Sequence, residues 1–141
     1  MEEIHVPQIA ELEKLCFNDP WPDQSIRSEL TNPLSLWLVA LADGKVVGYV
    51  GSQTVIDESD VMNVAVAPSH RRKGLAKHLF LTLESLLKEK KVHSLTLEVR
   101  ASNEAAQALY EGLGYVQVGR RPNYYHHPRE DALIMRKELT I

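Results

Sequence analysis

The chain has little cysteine, little excess charge and no long apolar run. Cys16 is the only cysteine among 141 residues, so the chain can form no internal disulfide and carries no cysteine cluster for a metal. The 16 basic and 19 acidic residues give a formal net charge of −3, which excludes a nucleic-acid binder that works through bulk positive charge. The longest nearly unbroken apolar stretch, 34–42, is too short to span a bilayer. The acidic start at Glu2 and Glu3 does not resemble a signal peptide, so we expect a cytoplasmic protein with no membrane partner.

The order of the predicted elements indicates a mixed α/β sheet in a single domain, 1–141. Seven glycines and seven prolines are scattered along the chain, with no repeat and no flexible linker. Apolar periodicity predicts helices over 7–17, 23–31, 74–90 and from a cap at 102 or 103 through 111, and strands over 36–40, 46–50, 61–66, 94–100, 115–118 and 132–136. The unit 61–99 predicts a right-handed parallel crossover, and the hairpins predict antiparallel neighbours, with a polar loop between the last two strands.

A basic stretch with one glycine lies between the strand at 61–66 and the helix at 74–90. It reads His70-Arg71-Arg72-Lys73-Gly74-Leu75-Ala76-Lys77. A helix N-terminus offers free backbone N–H groups, and a glycine lets a ligand approach them, so this stretch suits a pyrophosphate. Taken alone, a solvated helix start with a turn glycine is an equally good interpretation. The stretch matches neither the phosphate loop ending in Gly-Lys-Ser/Thr nor the three-glycine dinucleotide fingerprint.

Four ordered segments resemble the GNAT acyltransferases. Segment 71–76 fits the Arg/Gln-x-x-Gly-x-Gly/Ala signature of that family. The preceding segment, 63–68, is similar to the strand that lines the family's acetyl-CoA cleft, and 97–103 and 108–115 follow at the family's distances. The combination is similar to the RimI type, bacterial N-terminal alanine acetyltransferases that modify small-subunit ribosomal protein eighteen. Segments 121–125 and 130–135 resemble the closing part of that group. The resemblance covers 45–139 strongly and 7–42 more weakly, where Asp19-Pro20-Trp21 resembles a substrate-side loop.

The resemblance implies direct transfer of acetyl from the co-substrate acetyl-CoA to a primary amine, without a metal. It implies Glu98 as the general base and Tyr110 as the general acid. The residues toward acetyl-CoA would be Val64, Ala65, Val66, Arg71, Arg72, Lys73, Gly74, Leu75, Ala76, Lys77 and Asn103. The candidates for holding an acceptor peptide are Trp21, Tyr124, Tyr125 and Asp131.

Each assignment has a plainer alternative in the sequence. Glu98 can pair with Arg100 or another basic group, Tyr110 can pack as a half-buried helix tyrosine, and the acceptor candidates can be ordinary loop packing. The remaining polar features are expected to be structural or solvated: Cys16 as a small core residue, His126 and His127 as a solvated loop without a metal, and the run 88–91 as a solvated helix end.

The pKa of the acceptor amine favours a chain terminus. An α-amine with a pKa of about 7.7–8.0 is neutral in roughly a sixth of molecules at pH 7, and a lysine with a pKa of about 10.4 in far fewer. We therefore predict an N-terminal alanine acetyltransferase that acts on a ribosomal protein. The alternatives are a GNAT enzyme for a small-molecule amine or lysine, and a non-catalytic acyl-CoA-binding module. We expect a monomer or weak dimer and no specific nucleic-acid partner.

Two features depart from the family pattern. The family opens with a strand before its first helix, whereas Met1 falls almost at the predicted helix. We therefore expect this strand to be missing or truncated, which would leave one sheet edge uncovered. Pro122 interrupts the usual Arg-Asn-Tyr-Tyr run, so the loop around it is expected to differ in shape.

Overall fold

The computed structural model describes residues 1–139 as a six-stranded sheet flanked by helices. The helices are α1 (Val6–Cys16), α2 (Asp23–Ser28), α3 (Leu75–Glu89) and α4 (Glu104–Gly112). The strands are β1 (Ser35–Ala42), β2 (Lys45–Val55), β3 (Glu58–Val66), β4 (Ser94–Arg100), β5 (Val116–His126) and β6 (Arg129–Glu138). None of the helices described is both long enough and apolar enough to cross a membrane.

The sheet is mixed, as the sequence predicts. Its strand order is β1-β2-β3-β4-β6-β5, and β3 and β4 are the one parallel pair among the described strands. The long helix α3 lies between these two strands in the chain, which confirms that they form a parallel pair joined by a helical crossover. Glu3–His5 forms a short 3-10 turn ahead of α1, and β1 lies at a sheet edge. Among residues 1–139, the first strand is β1, which follows α1 and α2.

Two apolar clusters hold the helices to the sheet. On α3, Leu79, Phe80, Leu83 and Leu87 recur at helical spacing and are buried against the sheet and α4. On α1, Val6, Ile9 and Leu12 form the same kind of stripe and pack with α2 and β2. Because the helices are fixed through these stripes, their ends and the following loops are held at defined places along the sheet.

Strands β3 and β4 separate after a short ladder, and this opening positions the site. They pair only from Glu58 opposite Ser94 to Asp60 opposite Thr96. An extra residue then enters β3 where its register with β2 shifts, with Gly51 opposite Asn63 and Ser52 opposite Val61. Such a bulge bends its strand. The stretches 61–66 and 97–100 therefore diverge and leave room between them.

The prediction of a polar loop between the last two strands is wrong. Strands β5 and β6 run on to a tight turn at His127 and Pro128 instead of stopping at 118 and starting at 132. Pro122 lies within β5, and because β5 is an edge strand, its missing backbone N–H is tolerated. The register shifts between Arg121 and Tyr125, and Asn123 has a φ of +53°, so the irregularity is absorbed within the strand.

Candidate active site

Two adjoining cavities open where β3 and β4 diverge. The larger, of about 730 Å³, lies among the end of β3, the loop into α3 and helix α4. The smaller, of about 330 Å³, lies among β3, β4, the α1–α2 loop and β5. Both cavities are lined by Phe17, Val64, Asn103, Ala106 and Tyr110. A molecule in one cavity would therefore meet a molecule in the other at these residues.

The larger cavity contains the basic loop and the N-terminus of α3. Gly74 is the N-cap of α3 with a φ of +75°, in the left-handed region that glycine adopts without strain. A Cβ at Gly74 would meet no protein atom within 4 Å, so the space in front of the helix end is open. Of the residues predicted to contact acetyl-CoA, the structure brings to this cavity Val64, Ala65, Val66, Arg71, Arg72, Gly74, Leu75, Ala76, Lys77 and Asn103. Lys73 does not line it.

Cys16 lies at the wall of the larger cavity and not inside the core. It is half-buried at the end of α1, packed against the α1 cluster. Its Sγ lies 3.9 Å from the carbonyl oxygen of Val66 and 3.6 Å from Nη2 of Arg71. The Arg71 Nε also donates to that carbonyl at 3.1 Å. The expectation of a simple core cysteine missed this position because the helix ends at Cys16 beside the opening in the sheet.

Glu98 faces the smaller cavity from β4 with its side chain 23% exposed. Its Oε1 lies 3.6 Å from Nε of Arg121 on β5. Burial raises the pKa of Glu98; Arg121 opposes that rise and Asp60 adds to it. A carboxylate whose pKa is raised accepts a proton from an amine more readily than an ordinary glutamate does.

The alternative partner for Glu98, Arg100, is engaged elsewhere. Arg100 Nη1 lies 3.2 Å from Oε1 of Glu130, and its guanidinium carbon lies 4.2 Å from the centroid of the Tyr125 ring. The ion pair of Glu98 is therefore made with Arg121, the neighbouring basic group, and not within β4. Arg121 is missing from the sequence interpretation because it becomes a neighbour of Glu98 only through the β5–β6 hairpin.

Tyr110 lies on α4 at the junction of the two cavities. It is 7% exposed and packs edge-on against Phe80, with ring centroids 5.2 Å apart. It lines both cavities. Burial, with a smaller contribution from Tyr125, raises the pKa of Tyr110 to about 12. The phenol therefore stays protonated at neutral pH and can donate a hydrogen bond at the junction.

Three of the four predicted acceptor contacts meet in the smaller cavity. Trp21, Tyr124 and Tyr125 line it, whereas Asp131 lines neither cavity. The carboxylate of Asp131 lies 2.7 Å from Nε of Arg120 and accepts the backbone N–H of Asn123 at 2.9 Å. That N–H and the guanidinium lower the pKa of Asp131. Asp131 thus fixes the irregular part of β5.

His127 joins two loops at the rim of the smaller cavity. Its Nδ1 lies 2.8 Å from Oδ2 of Asp19, and its carbonyl oxygen accepts from Nδ2 of Asn18 at 2.7 Å. His127 stays largely exposed, with 68% of its side chain accessible, as expected for a solvated loop, but the tight β5–β6 turn also brings it to the α1–α2 loop. Across residues 1–139, no group of three or more histidine, cysteine or acidic side chains is arranged to hold a metal ion.

Beneath the smaller cavity lies a polar group that the sequence interpretation missed. Glu13 of α1 is 1% exposed and hydrogen-bonded to Trp21, Tyr49 and Asn63. The sequence did contain an indication of this buried group, because Glu13 lies one turn after Ile9 on the apolar face of α1. A charged residue at such a position is almost never buried without a polar partner.

Comparison with known proteins agrees with this geometry. The acetyltransferase (GNAT) family model matches residues 6–115. The chain belongs to this family. It is 40% identical over 131 residues to a putative [ribosomal protein bS18]-alanine N-acetyltransferase of Bacillus subtilis (strain 168), covering 92% of this chain and 87% of that protein. It is 36% identical over 135 residues to the N-alpha-acetyltransferase RimI of Mycobacterium tuberculosis (strain ATCC 25618 / H37Rv), covering 92% and 84%.

A solved structure extends the similarity to the whole fold. The crystal structure of the ribosomal-protein-S18-alanine N-acetyltransferase from Escherichia coli superposes with a TM-score of 0.92 at 35% identity, covering 100% of this chain and 92% of that one. The predicted GNAT fold and the RimI-type resemblance are confirmed. The chain is an acetyl-CoA-dependent N-acetyltransferase, and the larger cavity, with its open helix N-terminus and basic loop, fits that co-substrate.

Proposed function

We propose that this GNAT enzyme acetylates the α-amine of an N-terminal alanine, that of ribosomal protein bS18, with Glu98 as base and Tyr110 as acid. The proposed roles of Glu98 and Tyr110 rest on where the two side chains lie relative to the cavities. Tyr110 lines both cavities, whereas Glu98 lines only the smaller one. The names of the B. subtilis and E. coli relatives supply the acceptor.

The larger cavity is the acetyl-CoA side in this proposal. The first backbone N–H groups of α3 have no partner within the helix and point toward the open space before Gly74. With Arg71, Arg72 and Lys77 beside them, they bind the pyrophosphate. The stretch 64–66 holds the pantetheine arm. Asn103 caps α4 by accepting the N–H of Ala106 at 3.1 Å, so its amide nitrogen is left to contact the ligand.

The smaller cavity is the acceptor side. The amine nitrogen attacks the thioester carbonyl carbon, and Glu98 takes the proton that the nitrogen loses. The carbon–sulfur bond then breaks, and the departing sulfur takes a proton from Tyr110. Solvent restores Tyr110 and removes the proton from Glu98. Since a thiol has a pKa of about 8.5 and that of Tyr110 is about 12, the phenol donates only as the bond to sulfur breaks.

A transfer assay with one peptide tests the acceptor. The peptide begins Ala-Arg-Tyr-Phe and carries an internal lysine, and fragment mass spectrometry locates the acetyl group. We expect acetylation of the terminal amine alone, because far more of that amine is neutral at pH 7. The same peptide with a blocked N-terminus is the control and should not react. Transfer only to lysine would contradict the N-terminal assignment, and absence of transfer to either amine would contradict the proposed acceptor.

A further inference from the structure

Glu13 is a buried carboxylate with no cation beside it. It is 1% exposed, and no Lys, Arg or His nitrogen in the described chain lies within 4 Å of its oxygens. Its oxygens accept three kinds of donor instead: the backbone N–H of Trp21 at 2.8 Å, Nδ2 of Asn63 at 2.8 and 2.7 Å, and the hydroxyl of Tyr49. A buried charge persists only when its hydrogen bonds are made, so these three donors are held in place with it.

The carboxylate also fixes which way the Asn63 amide points. An ionised carboxylate can only accept hydrogen bonds, so Asn63 must turn its nitrogen toward Glu13. The oxygen of the same amide then accepts the backbone N–H of Val64 at 3.0 Å. Val64 lines both cavities, and Asn63 and Trp21 line the smaller one. One buried group thus reaches three residues on the cavity wall while lining neither cavity itself.

We propose that Glu13 is a positioning residue that holds the acceptor-side wall in its working shape through Asn63 and Trp21. The inference rests on the proposed function only in calling the smaller cavity the acceptor side. Burial raises the pKa of Glu13, and the hydrogen bonds from Tyr49, Trp21 and Asn63 oppose that rise.

Amide hydrogen exchange by NMR tests the connection without any acceptor. In Glu13→Gln, the residue at 13 can both donate and accept, so the Asn63 amide loses its fixed orientation. We expect the N–H groups of Trp21 and Val64 to exchange about tenfold faster, the scale of one lost hydrogen bond to a charged group. Tyr49→Phe is the matched control. It also removes a hydrogen bond to Glu13 but leaves the hydrogen bonds from Asn63 and Trp21 in place. The backbone N–H groups of Trp21 and Val64 should therefore exchange at the wild-type rate.

Steady-state kinetics with an acceptor that the wild type acetylates supplies the second readout. We expect Glu13→Gln to raise the acceptor KM about tenfold and to leave the KM for acetyl-CoA unchanged. Both variants should lower Tm, but Tyr49→Phe should keep the wild-type acceptor KM. Equal effects of the two variants on exchange and KM, or an effect on Tm alone, would overturn the inference.

If Glu13→Gln does not fold, Asn63→Ala takes its place, and unchanged Val64 exchange and acceptor KM in that variant would overturn the inference. If the alanine peptide does not react with wild-type protein, the proposed acceptor fails, but the exchange measurement still decides the role of Glu13.

Discussion

Replacing Glu98 by glutamine should separate activity from stability in this enzyme. Glutamine keeps the shape of the side chain but cannot take a proton from the amine. General acid–base catalysis contributes about 10²- to 10⁴-fold to a rate, so we expect kcat to fall at least about hundredfold. The KM for acetyl-CoA should stay at the wild-type value, because Glu98 lines only the smaller cavity.

Stability should not fall with that activity. The ion pair lost with Glu98 joins it to Arg121, which is 56% exposed, and such pairs contribute about 0–1 kcal/mol. Burial raises the pKa of Glu98, so the folded protein binds more protons than the unfolded chain between the ordinary glutamate pKa and the raised one. The free energy of unfolding therefore falls as the pH rises through that window. The Glu98→Gln variant does not lose stability in this way as the pH rises, so its Tm at pH 7 should equal or exceed that of the wild type.

The assay measures kcat, both KM values and Tm for three proteins across a pH series. Glu111→Gln, on the exposed side of α4, is the control and should match the wild type in all of them. In the wild type, the acidic limb of kcat/KM should lie above the ordinary glutamate range, and it should be absent in Glu98→Gln. Wild-type turnover in Glu98→Gln would refute its role as base, and a large fall in Tm together with activity would make its role structural.

Three other substitutions test neighbouring parts of the site. Tyr110→Phe should lower kcat by about 10²-fold or more with little change in either KM; wild-type turnover would exclude Tyr110 as the acid. Gly74→Val should weaken coenzyme A binding in a calorimetric titration, because Gly74 has a φ of +75° and a side chain there would fill the open space; wild-type affinity would refute that assignment. Glu130→Gln should lower Tm at neutral pH, because the hydrogen bond from Ser102 and, to a smaller extent, the Arg100 guanidinium lower the pKa of Glu130. That stabilisation is present above the ordinary glutamate pKa and is lost as the pH falls through the lowered value, so a Tm difference that persists in acid would contradict it.

The parts of the fold that repeat a local pattern could be predicted from the sequence. The spacing of Leu79, Leu83 and Leu87 fixes the buried face of α3, and β4 has the predicted bounds, 94–100. The glycine-containing loop enters α3 where the motif places it. Each of these features depends on residues within a few turns of one another, so the local sequence contains the needed information.

The contacts that the sequence did not indicate depend on pairing between distant segments. Asp131 looked available to a ligand, but the hairpin places Arg120 and Asn123 beside it. His127 is solvated as expected, but the same hairpin also carries it to Asp19, a contact that the sequence did not indicate. The hairpin is longer than predicted because β5, as an edge strand, accommodates Pro122 and a largely exposed run of residues without apolar alternation. One misjudged strand thus changed the environment of several candidate residues.

The separation of β3 from β4 makes the room in which the proposed base and the proposed acid face the two cavities. Glu98 lies on β4 and faces one cavity, while Tyr110 lies on the helix that follows β4 and reaches the junction with the other. Had the parallel ladder continued past Asp60 and Thr96, the two strands would stand about 4.8 Å apart, with no room for a thioester between them. The bulge in β3 lies where this opening begins, and Glu13 is hydrogen-bonded to Asn63 beside that bulge, at the same point of the sheet.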